Sequence, residues 1–534
     1  MCRLERANMV TEQREQKITY TTMSVEQAQN FHATYDRALA EVMSDLGREY
    51  PAFIGNEPST TARETFMSVS PADTRIPLGS FQECREREAN AAVDAARAAY
   101  QTWSHTPWKE RVTILRRAAG IFRERKYSIA AWLSLEAGKP RLEAMGEVEE
   151  AADLLDAYCD YMTERDGFVV RLEQLTPGEV NYSVLKPYGV WVVVAPFNFP
   201  VALTTGMIAG VLVTGNTAVY KPSPETPLTG VKVYECLRDS GLPSGAINFV
   251  TGRGAEIGEA LSSHADVDGI VFTGSRAVGS HIYAEFSRRQ PRPCITEMGG
   301  KNPVIVTERA DLKKAVEGTV RAAFGFSGQK CSAASRAYIH ERVYDDFVRR
   351  FVARTEELIV GDPTLAETFM GPVINRKAYE RFQQVCDRAA RDGEILTGGR
   401  ILQDEDLRYG YYCTPTIAVL PSTHPYFYEE LFVPFICVTR VQSLDEALNL
   451  ANDSEYGLTA GVFTQDENEV REFQDRIEAG VTYVNRSGGA TTGAWPKVQS
   501  FGGWKASGSP GKSALGPYYI EQFMREQTLT VVSD

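Results

Sequence analysis

A chain of 534 residues is too long for one ordinary core and calls for two or three packed units. Hydrophobic residues make up 43% and charged residues 24%, ordinary values for a folded water-soluble protein, and a formal net charge of −13 argues against a nucleic-acid or anionic-membrane surface. The nine cysteines are scattered, odd in number and without a C-x-x-C pair, so no disulfide framework and no metal site are expected, and the chain reads as reduced and cytoplasmic.

The opening 25 residues lack the apolar core of a leader. Residues 1–50 are expected to form an N-terminal helical arm, with Phe31, Tyr35, Leu39 and Val42 at helical spacing and Gly47 as the stop. Three or four amphipathic helices are predicted between "REANAAVDAARAAYQTW" (87–103) and "EVEEAADLLDAYCDYM" (147–162). The stretches "DGFVVRLEQ" and "EVNYSVLKPYG" then alternate apolar and polar residues, as a two-stranded ribbon with one exposed face would. Short apolar runs follow at 190–197, 217–223, 247–252, 269–275 and 302–306, with helical segments between several of them. That alternation predicts a parallel sheet with right-handed crossovers. The longest of these runs is far below the roughly 20 residues of a membrane-spanning helix. A second alternating series from about 302 predicts a second α/β unit, and the tail "EQTLTVV" is a strand expected to pair with the ribbon or with a partner chain.

Within this frame a few residues can carry chemistry. Cys331 lies in "FGFSGQKCSAASR" (324–336), just past a predicted helix end near Gly328, where the helix dipole disfavours a thiolate. Gly328 and the small residues after the cysteine leave space around its sulfur, and Lys330 adds positive charge. Both suit an accessible nucleophile, although a lone cysteine is equally read as a buried structural thiol. Glu297 opens "EMGGKNPVIV", where Gly299 and Gly300 allow close backbone approach; it is either a general base or a solvated loop carboxylate. Asn198 in "APFNFPVAL" stands at a strand end, where its amide either donates to an oxyanion or closes an Asx-turn. The junctions "FTGSRAVG" (272–279) and "TGRGAEIG" (251–258) do not match G-x-G-x-x-G, but both offer a helix N-terminus to a pyrophosphate.

Taken in order, "APFNFP", "KPSPETP", "FTGS", "EMGGKNP", "GQKCSAASR", "EELFVPF", "NDSEYGLTAGVF" and "SFGGWKASG" resemble the aldehyde dehydrogenase superfamily, over about residues 50–532. The resemblance implies an α/β fold with a Rossmann-type NAD(P)-binding domain (51–165 and 188–296), an α/β catalytic domain (297–487), a small β oligomerisation ribbon (166–187 and 515–534) and a substrate-anchor region (488–514). It makes Cys331 the nucleophile and Glu297 the base, with Asn198 and the Cys331 backbone amide as the oxyanion hole. NAD is the implied cofactor. Lys221, Ser223 and Glu430 would serve its ribose side, Gly274 and Ser275 its pyrophosphate, and Phe197 and Phe432 its nicotinamide. Two departures stand out. Val433 replaces a customary glycine, and Pro224 replaces an acid frequent in strictly NAD-dependent members, which leaves NADP open.

The cysteine motif and "TTGAWPKVQSFGGWKASG" (491–508) look like the branch that oxidises L-glutamate γ-semialdehyde, the open form of 1-pyrroline-5-carboxylate, in proline catabolism. By that likeness Ser332, Gly493 and Ala494 would hold the substrate's α-carboxylate and amine and Phe501 would form an aromatic wall. Glu150 is either a substrate neighbour or a solvated helix residue. The loop at 485–494 is about three residues longer than the branch pattern, and Ser500 replaces a proline. Another semialdehyde or an aliphatic aldehyde is the alternative substrate, and a catalytically silent protein on the same fold the remote one. A homo-oligomer built from dimers is implied.

Overall fold

The computed structural model describes residues 25–288, 290–488, 491–509 and 511–533. The expected N-terminal arm therefore lies partly outside the described residues. Its described part is helix α1 (Val25–Met43), which buries Phe31, Tyr35 and Val42 and donates from the Tyr35 hydroxyl to Ser134 Oγ at 2.6 Å. The arm turns at Gly47, whose φ is 76°, and Arg48–Tyr50 pairs in parallel with strand Pro77–Gln82.

Four further helices make the predicted helical layer: α2 (Glu86–Trp103), α3 (Trp108–Glu124), α4 (Lys126–Ala137) and α5 (Arg141–Glu164). Only α2 and α3 keep a clear polar face. α4 is buried almost throughout, and α5 packs against α3, α4 and α6 (Ala202–Val213). Spacings of three and four along α5 set Glu143, Glu147, Glu150, Leu154 and Tyr158 along one side of the helix.

The first sheet has eight strands in the order Gly508–Ser509, Cys294–Glu297, Gly269–Thr273, Val190–Val194, Thr217–Lys221, Ile247–Phe249, Ala52–Ile54 and Glu57–Ser59. The five strands from Cys294–Glu297 to Ile247–Phe249 are parallel. The chain runs outward from Val190–Val194 in one direction, then returns to lay Gly269–Thr273 on its other side. Such a reversal opens a crevice beyond the carboxyl ends of the strands, where ligands bind in open α/β sheets.

The second sheet has seven strands, parallel except at its Glu394–Thr397 edge: Glu394–Thr397, Thr416–Val419, Phe435–Val441, Ala334–His340, Asn302–Val306, Thr459–Phe463 and Val481–Val484. Three residues before Ala334–His340 stands Cys331, so the second sheet delivers the thiol ahead of a central strand while the first delivers Glu297 at a strand end. A third, antiparallel sheet joins Val169–Arg171, Glu179–Pro187 and Met524–Val532. The tail thus pairs with the ribbon of its own chain. No helix among the described residues is long and apolar enough to cross a membrane.

Candidate active site

Cys331 follows a turn of unusual backbone. Helix Leu312–Phe324 gives way to a tight turn in which Phe326, Ser327 and Gly328 have φ of 49°, 57° and 67°. Side-chain-bearing residues rarely adopt this region and persist there only when their surroundings hold them. The Ser327 hydroxyl donates to Gly371 O at 2.7 Å, and the Ile374 N–H donates to Gln329 Oε1 at 2.8 Å. Gly328 is not there to leave room: a side chain on it would press on the Val433 carbonyl.

Burial pushes the Cys331 thiol up to about 12, and the Glu297 and Glu430 carboxyls push the same way. Lys330 does not offset this as the sequence suggested. Its ammonium is turned to Glu143 on α5, with which it pairs at 2.9 Å.

Glu297 ends its strand and lines one cavity with Cys331. Its Oε2 is buried without a hydrogen-bond partner, and burial raises its carboxyl to about 8, against a lowering contribution from the Gly503 backbone. A carboxyl held this way is neutral at rest and becomes a base near neutral pH, the range in which a catalytic base works best.

Asn198 closes no turn with its side chain. It is 4% exposed, and its Nδ2 donates to Gln329 O at 3.1 Å, which leaves the second N–H of the same amide beside the segment carrying Cys331.

The cavity shared by Cys331 and Glu297 is also lined by Ser332, Ala494, Phe501 and Glu150. Glu150 is not solvated: burial, then Glu147, raises its carboxyl to about 8. Gly493 is absent from the lining and Thr492 takes its place, with its Oγ1 accepting from Ala494 N at 3.1 Å. Leu154, Tyr158 and Tyr519 are also among the lining residues, and no motif in the sequence marks them. The first two follow Glu150 at four-residue spacing, so helical periodicity alone would have found them. Gly489 and Ala490 of the longer loop lie outside the described residues.

None of the expected cofactor residues lines that cavity; Glu430 and Phe432 line a second one with Gly300 and Lys330. Lys221 ends its strand 3% exposed, donates to Pro222 O at 3.1 Å, and is pushed down to about 8 by burial. Gly274 donates its N–H to Glu297 O at 3.0 Å, and Ser275 caps the helix Arg276–Phe286. Glu430 Oε1 accepts from Gly300 N at 2.9 Å, and a methyl on Gly299 would collide with that carboxylate. Phe432, with φ of 59°, meets Phe197 edge-to-face at 5.8 Å. Ser223 is turned into its own loop, accepting from Glu225 N at 3.2 Å. A carboxylate, an ammonium and a helix N-terminus are the donor set that vicinal ribose hydroxyls and a pyrophosphate require, so these residues fit a dinucleotide. Among the described residues no cluster of His, Cys, Asp or Glu is placed to hold a metal ion.

Residues 58–529 match the aldehyde dehydrogenase family. The chain belongs to that family. It is 39% identical over 502 residues to 1-pyrroline-5-carboxylate dehydrogenase 1 of Halalkalibacterium halodurans, covering 93% of this chain and 95% of that protein. A 1-pyrroline-5-carboxylate dehydrogenase from Thermus, solved with bound NAD, superposes with a TM-score of 0.91 at 34% identity, covering 98% of this chain and 100% of the other. Proline utilization A from Bdellovibrio bacteriovorus superposes with a TM-score of 0.89 at 35% identity; 94% of this chain is covered, and the chain spans about half, 52%, of that longer protein. Family membership makes the protein an oxidoreductase that takes an aldehyde and NAD, as its motifs imply.

Proposed function

We propose that the protein oxidises L-glutamate γ-semialdehyde, the open form of 1-pyrroline-5-carboxylate, to L-glutamate. The observation that carries this reading is the single cavity in which Cys331 and Glu297 meet Ser332, Ala494, Phe501 and Glu150. The relatives named above, at 39% and 34% identity, support the same substrate. Phe199, Leu154 and Phe501 suit the aliphatic middle of a five-carbon substrate. Ser332, Thr492 and the backbone at Gly493 and Ala494 suit its α-carboxylate. Glu150, neutral when alone, gains its charge beside an α-ammonium.

In the reaction Glu297, once ionised, accepts the Cys331 proton, and the thiolate adds to the aldehyde carbon. The oxyanion is held by the free N–H of Asn198 and the backbone N–H of Cys331. NAD, when bound, supplies the acceptor for the hydride whose departure leaves a thioester on Cys331. Once Glu297 has passed the Cys331 proton on to solvent, it takes a proton from water, the water oxygen attacks the thioester carbon, the C–S bond breaks, the Cys331 sulfur recovers a proton and the acid leaves. Lys221 and Glu430 would hold the ribose hydroxyls of NAD, Gly274 and Ser275 would receive its pyrophosphate, and Phe197 and Phe432 would bind its nicotinamide. The same reading assigns nucleotide binding to residues 51–165 and 188–296, catalysis to 297–487 and substrate anchoring to 488–514. It makes the Met524–Val532 ribbon a dimer contact. All eight described cysteines are free, in keeping with a cytoplasmic location.

A panel of aldehydes assayed with NAD and with NADP tests this. The expected result is the highest kcat/KM with 1-pyrroline-5-carboxylate and NAD, with measurable NADP turnover because Pro224 supplies no acid to repel a 2′-phosphate. No advantage over simple aliphatic aldehydes overturns the substrate, and no NADH from any aldehyde overturns the enzyme.

A further inference from the structure

Lys139 and Glu147 form an ion pair closed off from solvent, and no step above uses either. Lys139 sits between Gly138, whose φ of 72° ends α4, and Pro140, which precedes α5. Its ammonium donates to the backbone carbonyl of Asn198 at 2.7 Å. It also lies 3.8 Å from the ring centre of Phe199 and 4.5 Å from that of Phe326. Glu147 holds Lys139 through one oxygen, and its other oxygen accepts from Val201 N at 2.8 Å and Ala202 N at 3.2 Å, at the start of α6. One buried cation thus touches both halves of the site: the segment that presents the Asn198 amide, and the left-handed turn that leads to Cys331. A buried ion pair adds little stability over apolar side chains of the same shape, so stability alone is a poor reason for this one.

The geometry points to Lys139, backed by Glu147, as a positioning residue that fixes the Asn198 amide against the Cys331 turn and so sets where the oxyanion is received. This rests on the reading of Cys331 as nucleophile and Asn198 as its donor.

The test needs neither cofactor nor the proposed substrate. With p-nitrophenyl acetate the thiolate attacks the acetyl carbon, the ester C–O bond breaks, and p-nitrophenolate leaves as a thioester forms. The amplitude of the p-nitrophenolate burst counts competent thiols, and its rate constant reports the step at which the oxyanion is held. Lys139→Met is expected to lower that rate constant about 100-fold at full amplitude, the scale of a misplaced catalytic group. Lys139→Arg, which keeps the charge, is expected to restore most of it. In an Asn198→Ala background Lys139→Met is expected to cost little more, because the group it positions is already gone.

A lowered amplitude at unchanged rate constant, or losses from Lys139→Met and Asn198→Ala that simply multiply, would show that Lys139 only supports the fold and would overturn the proposal. If Lys139→Met does not fold, Glu147→Gln carries the same test, since its amide oxygen still accepts from Val201 and Ala202. A wild-type protein with no burst sinks the nucleophile reading instead, and an active wild type that shows no preference for 1-pyrroline-5-carboxylate sinks the substrate reading while leaving the clamp standing.

Discussion

Glu297 owes its acidity to where it lies rather than to a counter-ion. Its folded value near 8 stands above the ordinary 4.5, so the folded chain keeps a proton that the unfolded chain gives up. Stability tied to this residue is therefore lost progressively as pH rises from about 4.5 to about 8. Glu297→Gln removes that penalty. Melting curves should show it more stable than wild type near pH 8 and no different near pH 4, while thioester hydrolysis disappears. In the wild type, turnover should rise with pH through about 8, and a flat profile there would exclude Glu297 as the base. Asn198→Ala should lower kcat by ~10²–10³ with little change in KM, as expected for a donor that acts on the oxyanion and not on the bound aldehyde. Cys331, Glu297 and Asn198 were legible in the sequence because each stands in a short run of distinctive residues. The pairing of Lys330 with Glu143 was not, since a charge beside a cysteine in sequence says nothing about which way its side chain turns.

At the scale of elements, the loop of Gly299 and Gly300 shows why two glycines follow the base. Gly300 gives its N–H to Glu430, and Gly299 leaves the space that this carboxylate fills. Gly299→Ala should displace Glu430 and raise KM for NAD about tenfold, the loss of one charge-assisted hydrogen bond, while KM for the aldehyde holds steady. Initial-rate measurements varying each substrate in turn separate the two. The strands that position this loop were plain in sequence wherever β-branched residues cluster, as in Val190–Val194 and Gly269–Thr273. Ala334–His340 was missed. It reads "ASRAYIH", a mixture of small, charged and aromatic residues, and it becomes a central strand because strands pair along both its edges while helices Leu312–Phe324 and Leu444–Asn452 cover its two faces. Glu150 was half legible for a related reason: a carboxylate on a helix is solvated unless another segment covers it, and the covering residues Thr492, Ala494 and Phe501 lie more than 300 positions away in the chain.

For the whole molecule, the antiparallel ribbon is the feature that a single chain leaves unfinished. Val169, Val170, Leu172, Val531 and Val532 are exposed by 46%, 56%, 43%, 59% and 65% on a sheet of only three strands. Val169 and Val170, like Val531 and Val532, are neighbours along a strand and point to opposite faces, so both faces of this ribbon carry exposed apolar side chains, as an association surface does. On the proposed dimer contact, a chain ended at Phe523 should run as a monomer in light scattering where the full-length chain runs as a dimer, and a paired Val170→Lys and Val532→Lys variant, which charges one face, should do the same with the strand in place. A truncated chain that keeps the full-length assembly would place the dimer contact elsewhere.

The short strand Gly508–Ser509 has a consequence for how the protein is made. It supplies the outer neighbour of the strand that ends in Glu297, and Met298 donates its N–H to Ser507 O at 2.9 Å. Those partners leave the ribosome some two hundred residues after the glutamate they support. With Cys331 and Glu297 read as nucleophile and base, a nascent chain already carrying both still lacks the strand that flanks Glu297 until its closing segment is made. With Cys331 read as the nucleophile, it would stay unarmed until nearly the entire polypeptide is present to enclose it.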